Sequence, residues 1–339
     1  MSKTKYVVFA CMTLVLSTGL TVGLLLGLDL YLHKKFEKVA GLNIHGYRGP
    51  VVKRKQPNER RIVVLGGSTA LGYGVAPQES FPAVLEKTLN ERRRQEGGGP
   101  VSLVNLAYNT EGAYAYLFNL RSYKYLDYDV ALFYTGFNDL GGLNTYVYRN
   151  TSPIFRLTGY MPIIPLIFQE KAMALRYGGD LEAAYRGHKT VFKPNLAERA
   201  TASALEAAVK ISQSLERQIG RLTKEPPIEE PPPSMDCGET WQHYCRSIYV
   251  AVEYALSRDR HAVVVTEPYV SDPHVEQQRA MVGMLKAKFG DHPRLRHLDL
   301  GRAVDLHDPR LCYDGLHLTA EGNEQIASLL VEPIMEILR

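Results

Sequence analysis

Short apolar runs alternate with helical patterns along most of the chain. The runs are bounded by charged residues or glycine, as buried strands are, and they lie at residues 62–65, 101–106, 130–134, 261–266 and 295–300. Between them, apolar residues recur at helical spacing over residues 80–94, 114–126, 275–289 and 320–338. Strands that alternate with helices predict a doubly wound α/β fold with a mainly parallel sheet.

The N-terminal region departs from this alternation. Residues 6–28 carry no charged side chain, and a helix over them would reach roughly 35 Å, enough to cross a bilayer core of about 30 Å. A cleaved secretory signal has a shorter apolar core and a small-residue cleavage site, which the sequence before Lys34 and Lys35 does not offer. We therefore predict an uncleaved, single-pass membrane anchor in residues 1–32. A cleaved signal and a buried helix of a soluble domain are the alternatives.

The rest of the chain is predicted to contain a linker and one large domain. Residues 33–60 are polar and basic and are predicted to be a juxtamembrane linker. The domain covers residues 61–339, with an insertion at about 140–260. The first part of the insertion is rich in aromatic residues, and it either covers a site, rests on a membrane or packs on the sheet. Residues 196–222 are predicted to be helical, and the proline-rich residues 225–233 to be an exposed spacer.

Composition and charge exclude several classes of protein. Of the 339 residues, 45% are apolar and 22% are charged, which is typical of a globular chain and not of a disordered or collagen-like one. The 40 basic and 36 acidic residues give a net charge of +4, which is too balanced to indicate binding to nucleic acid. The four cysteines show no CxxC spacing and the histidines no HExxH pattern. We therefore predict no metal site.

Polar residues and glycines follow the predicted strands. Ser68 follows the first strand, Gly112 lies in the loop after the second, and Asn138 follows the third. Asp314 and His317 lie shortly before the last helix. In open α/β folds, ligands bind beyond the carboxyl ends of the strands. We therefore expect these five residues to converge at one edge of the sheet.

Three of these residues have the side chains of a nucleophilic triad. A serine hydroxyl attacks a carbonyl only when a base removes its proton, and His317 can be the base for Ser68. Asp314 can orient the imidazole ring and stabilise its charged form. The backbone N–H groups of Ser68 and Gly112 and the side-chain amide of Asn138 are candidate donors to an oxyanion. Taken singly, each residue has a structural alternative as a helix cap, an exposed histidine or a turn residue.

Other active-site motifs fit the sequence less well. A P-loop needs a lysine that does not follow Gly72 or Gly74, and the GxGxxG pattern of dinucleotide-binding proteins is absent. The nucleophile elbow of α/β-hydrolases needs glycine where Ala70 stands. Asp314 is also only three residues from the histidine, whereas the acid lies far upstream in that fold. No cofactor is therefore predicted.

The four motifs around the candidate residues resemble those of the SGNH hydrolases, also called GDSL-like esterases and lipases. They are GGSTALGYG around Ser68, NTEGAY around Gly112, GFND around Asn138 and DGLH ending at His317. Their order and spacing are similar to those of the family. The resemblance runs from about residue 62 to residue 322, apart from the insertion.

The resemblance implies a three-layer α/β/α fold and assigns a role to each motif. It implies that Ser68 is the nucleophile and that His317 and Asp314 complete the triad. The other two motif residues would build the oxyanion hole. The chain differs from the family pattern in Gly67, where the name-giving motif has aspartate, and in Ala107, where glycine is common.

We therefore predict a membrane-anchored hydrolase of carboxylic esters, with small esters, lipids or acylated glycans as substrates. Five residues are candidates either to line its pocket or to pack in the core: Thr69, Asp139, Tyr73, Tyr108 and Tyr134. The count of positive charges around the anchor favours a cytoplasmic domain, whereas the family resemblance favours an extracytoplasmic one, where Cys237 and Cys245 could pair. The alternatives are an O-acetyltransferase or deacetylase acting on envelope polysaccharide and a non-catalytic carbohydrate-binding or scaffolding protein.

Overall fold

A five-stranded parallel sheet forms the centre of the larger part of the protein. The structure is a computed structural model that describes residues 3–36, 42–141, 147–176, 196–222, 235 and 237–339. The strands are β1 (Arg60–Leu65), β2 (Val101–Asn105), β3 (Val130–Thr135), β4 (His261–Thr266) and β5 (Leu295–Asp299). They lie side by side in the order β2-β1-β3-β4-β5, and every neighbouring pair is parallel. All five strands predicted from the apolar runs are thus confirmed.

Helices account for most of the remaining described residues. They are α1 (Lys3–Phe36), α2 (Ser68–Leu71), α3 (Phe81–Gln95), α4 (Tyr116–Ser122), α5 (Tyr148–Thr151), α6 (Pro153–Thr158), α7 (Ile164–Arg176), α8 (Leu196–Leu222), α9 (Gly238–Leu256), α10 (Asp272–Phe289) and α11 (Ala320–Leu338). Short 3-10 segments lie at Pro77–Glu79, Ala113–Ala115, Lys124–Leu126 and Phe137–Asp139.

Helices cover both faces of the sheet. On one face α3 packs against α11, and their apolar residues form one core cluster with alternate residues of the strands, such as Ile62 and Val64. Neighbouring strand residues point to the opposite face. There the ring of Phe133 lies 5.6 Å from that of Tyr116 in α4, and α9 packs on α4, α10 and β4. This is the α/β/α arrangement that the sequence resemblance implies.

The structure differs from the predicted elements at two places. The predicted helix at residues 114–126 is broken into α4 and two 3-10 segments, and Asp127 ends it with a φ of +47°. The helix α9 lies inside the range predicted as an insertion, yet it packs on the sheet like the other core helices. The predicted spacer at residues 225–233 lies outside the described residues.

The chain divides into two compact units. One contains residues 38–152 and 225–339, including the whole sheet, and the other contains residues 1–37 and 153–224. In the first unit, the described end of the predicted linker is folded, because Tyr47 and Arg48 are buried and Arg48 pairs with Asn105 of β2.

The described part of the second unit contains the helices α1, α6, α7 and α8. Among the described residues, α1 is long and apolar enough to cross a membrane over Thr4–Lys35. Near its end, the buried carboxylate of Asp29 accepts hydrogen bonds from the Tyr160 hydroxyl and from the backbone N–H groups of Ile163 and Ile164, at 2.9 and 2.8 Å. The polar end of this apolar helix thus holds the first turn of α7.

Candidate active site

The five candidate residues lie on segments that follow the carboxyl ends of the strands. Ser68 is the first residue of α2, directly after β1 and two glycines. Gly112 precedes the 3-10 segment Ala113–Ala115, and Asn138 lies in the segment Phe137–Asp139 that follows β3. Asp314 and His317 lie between β5 and α11.

Ser68, His317 and Asp314 are joined by two hydrogen bonds. The Nε2 atom of His317 lies 2.9 Å from Oγ of Ser68, and Nδ1 of His317 lies 2.6 Å from Oδ2 of Asp314. The ring satisfies both bonds when Nδ1 carries the proton and Nε2 accepts the serine hydroxyl. Residues 249 positions apart in sequence therefore meet within hydrogen-bonding distance.

The aspartate is fixed by the turn that carries it. Its Oδ1 atom accepts the backbone N–H groups of Leu316 and His317, at 3.0 and 2.7 Å. Partial burial alone would raise the pKa of Asp314, but the hydrogen bonds from His317 and the backbone outweigh it and hold the pKa below its usual value. The carboxylate is therefore ionised and faces the ring as an acceptor.

Two tyrosine rings lie against the histidine. The ring centroids of Tyr73 and Tyr313 are 4.9 and 5.9 Å from that of His317, and both tyrosines are about half exposed. The Tyr313 hydroxyl donates to the carbonyl of Tyr73 at 3.1 Å. Gly74 has a φ of +84°, and a Cβ there would lie 2.3 Å from this hydroxyl. The glycine therefore makes room for a ring that restricts His317.

The amide of Asn138 packs directly against the segment before the serine. Its Nδ2 atom donates to the carbonyl of Glu111 at 2.9 Å. A Cβ on Gly67 would lie only 1.9 Å from the same Nδ2 atom. A side chain at position 67, such as the aspartate of the family motif, would therefore displace the amide from this place.

Gly112 is held close to a buried carboxyl group. A Cβ at this position would lie 2.7 Å from Oδ1 of Asp139. Both oxygens of Asp139 accept the backbone N–H of Ala113, at 3.1 and 3.0 Å. Burial, with a smaller contribution from the charge of Glu267, raises the pKa of Asp139 to about 7.

A buried ion pair supports the loop that carries Gly112. Arg149 and Glu111 are both inaccessible to solvent, and they are joined by contacts of 2.7 and 2.9 Å. Arg149 also donates to the carbonyls of Gly46 and Leu106, at 2.9 and 2.8 Å. Burial alone would lower the pKa of Arg149, but the charge of Glu111 raises it. The pair thus fixes the residue whose carbonyl holds the Asn138 amide.

Glu267 is a further polar residue at this edge, and it was not among the sequence candidates. It follows β4 directly and is buried. Its carboxyl group accepts the Thr69 hydroxyl at 2.5 Å and the backbone N–H of Phe137 at 2.7 Å. Burial raises its pKa to about 7 against the effect of these two bonds. No motif marks it, because a lone glutamate after a strand has no characteristic spacing.

The candidate pocket residues divide by exposure. Tyr134 is buried in the core against Phe81, with ring centroids 4.9 Å apart. Tyr108 is also buried, and the guanidinium of Arg149 lies 5.0 Å from its ring centroid. Tyr108 and Tyr134 therefore pack in the interior and do not line an open pocket. Over the described ranges, no group of three or more His, Cys, Asp or Glu residues is arranged to hold a metal ion.

Comparisons with known proteins find similarity at the level of the fold. No family model and no curated protein matches the chain. Among solved structures, the chain is similar to the psychrotrophic esterase EstA from a Pseudoalteromonas species, with 10% identity, a TM-score of 0.42 and coverage of 82% of this chain and 98% of that one. A GDSL-like lipase from Bacteroides thetaiotaomicron has 10% identity, a TM-score of 0.40 and coverage of 84% and 92%. A family 3 carbohydrate esterase from Clostridium thermocellum has 12% identity, a TM-score of 0.41 and coverage of 83% and 98%.

Proposed function

We propose that the chain is a serine hydrolase that cleaves carboxylic esters through an acyl-enzyme. The observation that carries this proposal is the pair of hydrogen bonds from Ser68 to His317 and from His317 to Asp314, at 2.9 and 2.6 Å. A nucleophile, a base within reach and a third group that orients the base are the arrangement that activates an alcohol for acyl transfer.

In the proposed reaction His317 moves a proton twice. Its Nε2 atom takes the proton of the Ser68 hydroxyl while Oγ forms a bond to the ester carbonyl carbon, and the carbonyl electron pair moves onto its oxygen. Collapse of this tetrahedral intermediate breaks the bond to the alcohol oxygen, which takes the proton from His317. A water molecule then gives its proton to His317 and attacks the acyl group. The second collapse breaks the bond between the acyl carbon and Oγ of Ser68, which takes the proton back from His317, and the carboxylic acid is released.

The negative charge on the carbonyl oxygen needs donors that are already in place. The Asn138 amide has two N–H groups, and the hydrogen bond to the Glu111 carbonyl uses one of them. We assign the second to the oxyanion, together with the backbone N–H groups of Ser68 and Gly112. Ser68 lies in the first turn of α2, where backbone N–H groups have no partner within the helix and favour negative charge.

We further propose that the hydrolase is anchored by α1 with its catalytic unit outside the cytoplasm. The helix is long and apolar enough to cross a membrane over Thr4–Lys35, and Cys237 and Cys245 are joined by a disulfide. Disulfides persist in oxidising compartments and are rare in the cytosol. This favours the extracytoplasmic side over the orientation indicated by the lysine count. Protease applied to intact cells should therefore degrade the catalytic unit, and protection until the membrane is broken would contradict the assignment.

The proposed substrates are acyl or acetyl esters of small alcohols, lipids or glycans. The same triad would make an O-acetyltransferase if a sugar hydroxyl replaced water in the second half of the reaction. Acetate release measured with and without a polysaccharide acceptor separates the two: a hydrolase releases the same amount in both, whereas a transferase releases less when the acceptor is present.

The nucleophile and the base are tested on the full chain in detergent with a short-chain aryl ester. Ser68→Ala and His317→Ala should each lower kcat by on the order of 10⁶. Ser328→Ala and His307→Ala are matched controls, because both side chains are exposed, the Ser328 hydroxyl donates to the Gln325 carbonyl of its own helix, and His307 pairs with Asp305. Turnover that survives in Ser68→Ala, or that falls equally in the controls, would refute the assignment.

A further inference from the structure

One carboxyl group contacts the two turns that carry the nucleophile and the Asn138 amide. We define the nucleophile turn as residues 66–69 and the oxyanion turn as residues 136–139. Glu267 accepts the hydroxyl of Thr69, the residue after Ser68, at 2.5 Å. It also accepts the backbone N–H of Phe137, the residue before Asn138, at 2.7 Å. Each contact is therefore one residue away from a group assigned to the reaction.

The sheet topology explains why the contacts of Glu267 can fix the two turns relative to each other. The nucleophile turn follows β1, the oxyanion turn follows β3, and Glu267 follows β4. In the sheet, β3 lies between β1 and β4. Backbone hydrogen bonds continue a short way past the strand ends, but none among the described residues joins the nucleophile turn to the oxyanion turn. The carboxyl group of Glu267 connects the two turns at this level.

We propose, on the basis of the ester hydrolase assignment above, that Glu267 is a positioning residue that fixes the nucleophile turn relative to the oxyanion turn. Its carboxyl group is hydrogen-bonded to Thr69 and Phe137 and not to Ser68, His317 or Asn138. It acts through Thr69 and Phe137 on the separation between the Ser68 hydroxyl and the Asn138 amide. That separation decides whether the donor lies about 3 Å from the oxygen on which charge develops.

The two hydrogen bonds of Glu267 explain why a carboxyl group stands at this buried position instead of an apolar side chain. A buried carboxyl group is costly unless its oxygens are hydrogen-bonded. An apolar residue would fill the same space without that cost, but it would leave the Phe137 N–H and the Thr69 hydroxyl without this acceptor. Glutamine provides both contacts: its oxygen accepts the Phe137 N–H, and its amide donates to the Thr69 oxygen.

The choice of substitutions follows from these contacts. Glu267→Leu removes both acceptors at similar volume, whereas Glu267→Gln keeps two hydrogen bonds. Glu276→Leu is the control, because Glu276 is an exposed glutamate on the neighbouring helix α10. A displacement of about 1 Å at an active site lowers the rate by about 10². We therefore expect kcat of Glu267→Leu to fall by about 10² with KM within about threefold, and we expect Glu267→Gln and the control to stay within about fivefold of the wild type.

The variant Thr69→Val provides a second test, which can be used even if Glu267→Leu does not fold. This substitution removes only the hydroxyl and leaves the contact to Phe137 in place. We expect kcat to fall by about tenfold, and the two losses to be non-additive in the double variant because both remove the same bond. Unchanged kcat in Thr69→Val, or independent losses in the double variant, would overturn the proposal. An equal loss in Glu267→Gln and Glu267→Leu would also overturn it.

Crystal structures separate the failure of this inference from the failure of the proposed function. The distance from Ser68 Oγ to Asn138 Nδ2 should differ by about 1 Å between the wild type and Glu267→Leu or Thr69→Val, and it is measured without any turnover. A distance that does not change between the wild type and these variants would refute the positioning role, whether or not the protein is an esterase. Turnover that persists in Ser68→Ala would instead refute the hydrolase assignment alone.

Discussion

Replacing Asp314 with asparagine should impair catalysis more than replacing it with alanine. The backbone N–H groups of Leu316 and His317 both point at one oxygen of the carboxylate, at 3.0 and 2.7 Å. In Asp314→Asn the amide oxygen must stay there, because an NH₂ group would face two donors. The amide nitrogen is therefore forced towards Nδ1 of His317, where it donates. Nδ1 must then accept, the ring proton moves to Nε2, and Nε2 cannot take the proton of Ser68.

The size of the effect follows from the tautomer and from solvent access. A base locked in the wrong tautomer lowers kcat by about 10⁴, or about 5 kcal/mol at about 1.36 kcal/mol for each factor of ten. In Asp314→Ala the side chain is gone, and the position is open to water because the native side chain is 40% exposed. A water molecule there can accept the Nδ1 proton and keep the productive tautomer. We expect the alanine variant to be at least about tenfold more active than the asparagine variant.

The assay is kcat for a short-chain aryl ester, measured for both variants and the wild type in the same detergent. Asp305→Asn is a suitable control, because Asp305 lies in the same loop region and its side chain is 69% exposed. An asparagine variant as active as the alanine variant, or more active, would show that the ring tautomer is not set by Asp314. Imidazole nitrogen chemical shifts would report the tautomer directly.

Four further outcomes are expected. In Gly67→Ala the new methyl would lie 1.9 Å from Nδ2 of Asn138 and would displace this amide. We therefore expect kcat to fall by about 10² with little change in KM, the effect of losing one oxyanion donor. An unchanged kcat would contradict this expectation. Arg149→Met should lower the free energy of unfolding in urea by about 3–5 kcal/mol, since it leaves the buried Glu111 carboxylate without its partner. The pKa of Glu267 is about 7 in the folded protein against an ordinary 4.5, so its contribution to stability is full below pH 4.5 and is lost as the pH rises through 7. At about 1.36 kcal/mol for each unit this amounts to about 3 kcal/mol, and Glu267→Gln should flatten the stability–pH curve in that range. Replacing Cys237 and Cys245 by serine should cost about 2–3 kcal/mol, because the disulfide closes a loop with a sequence separation of 8; thermal unfolding that does not change would contradict the bond.

The strands and motifs could be predicted from the sequence because each leaves a local signal. Strands such as β1 and β3 are buried on both faces, so they are continuous apolar runs that end in glycine or polar residues. Ser68 and Asn138 each lie three residues after the end of such a strand, and the rule that ligands bind beyond the carboxyl ends of parallel strands then places them at one edge of the sheet. The roles assigned to these residues stay predictions until the variants are measured.

The residues that support the site leave no such signal. Glu267 and Thr69 are 198 positions apart, and nothing in the sequence near either residue shows that a carboxyl group will be buried next to the residue after Ser68. Arg149 and Glu111 have no unusual sequence context, and charged residues are usually exposed to solvent. Only the folded chain shows that their side chains are fully buried and paired. The range of α9 falls within the predicted insertion, and only the folded chain shows that this helix packs on α4, α10 and β4.

The attachment of Asp29 to α7 affects how the protein should be purified. Truncation after α1, the usual route to a water-soluble form of an anchored enzyme, would remove the carboxylate that binds the N–H groups of Ile163 and Ile164. Each orphaned backbone group would cost about 1–3 kcal/mol where it stays buried. A secreted version that keeps α7 but lacks residues 3–36 should therefore fray at that helix and attract proteases there.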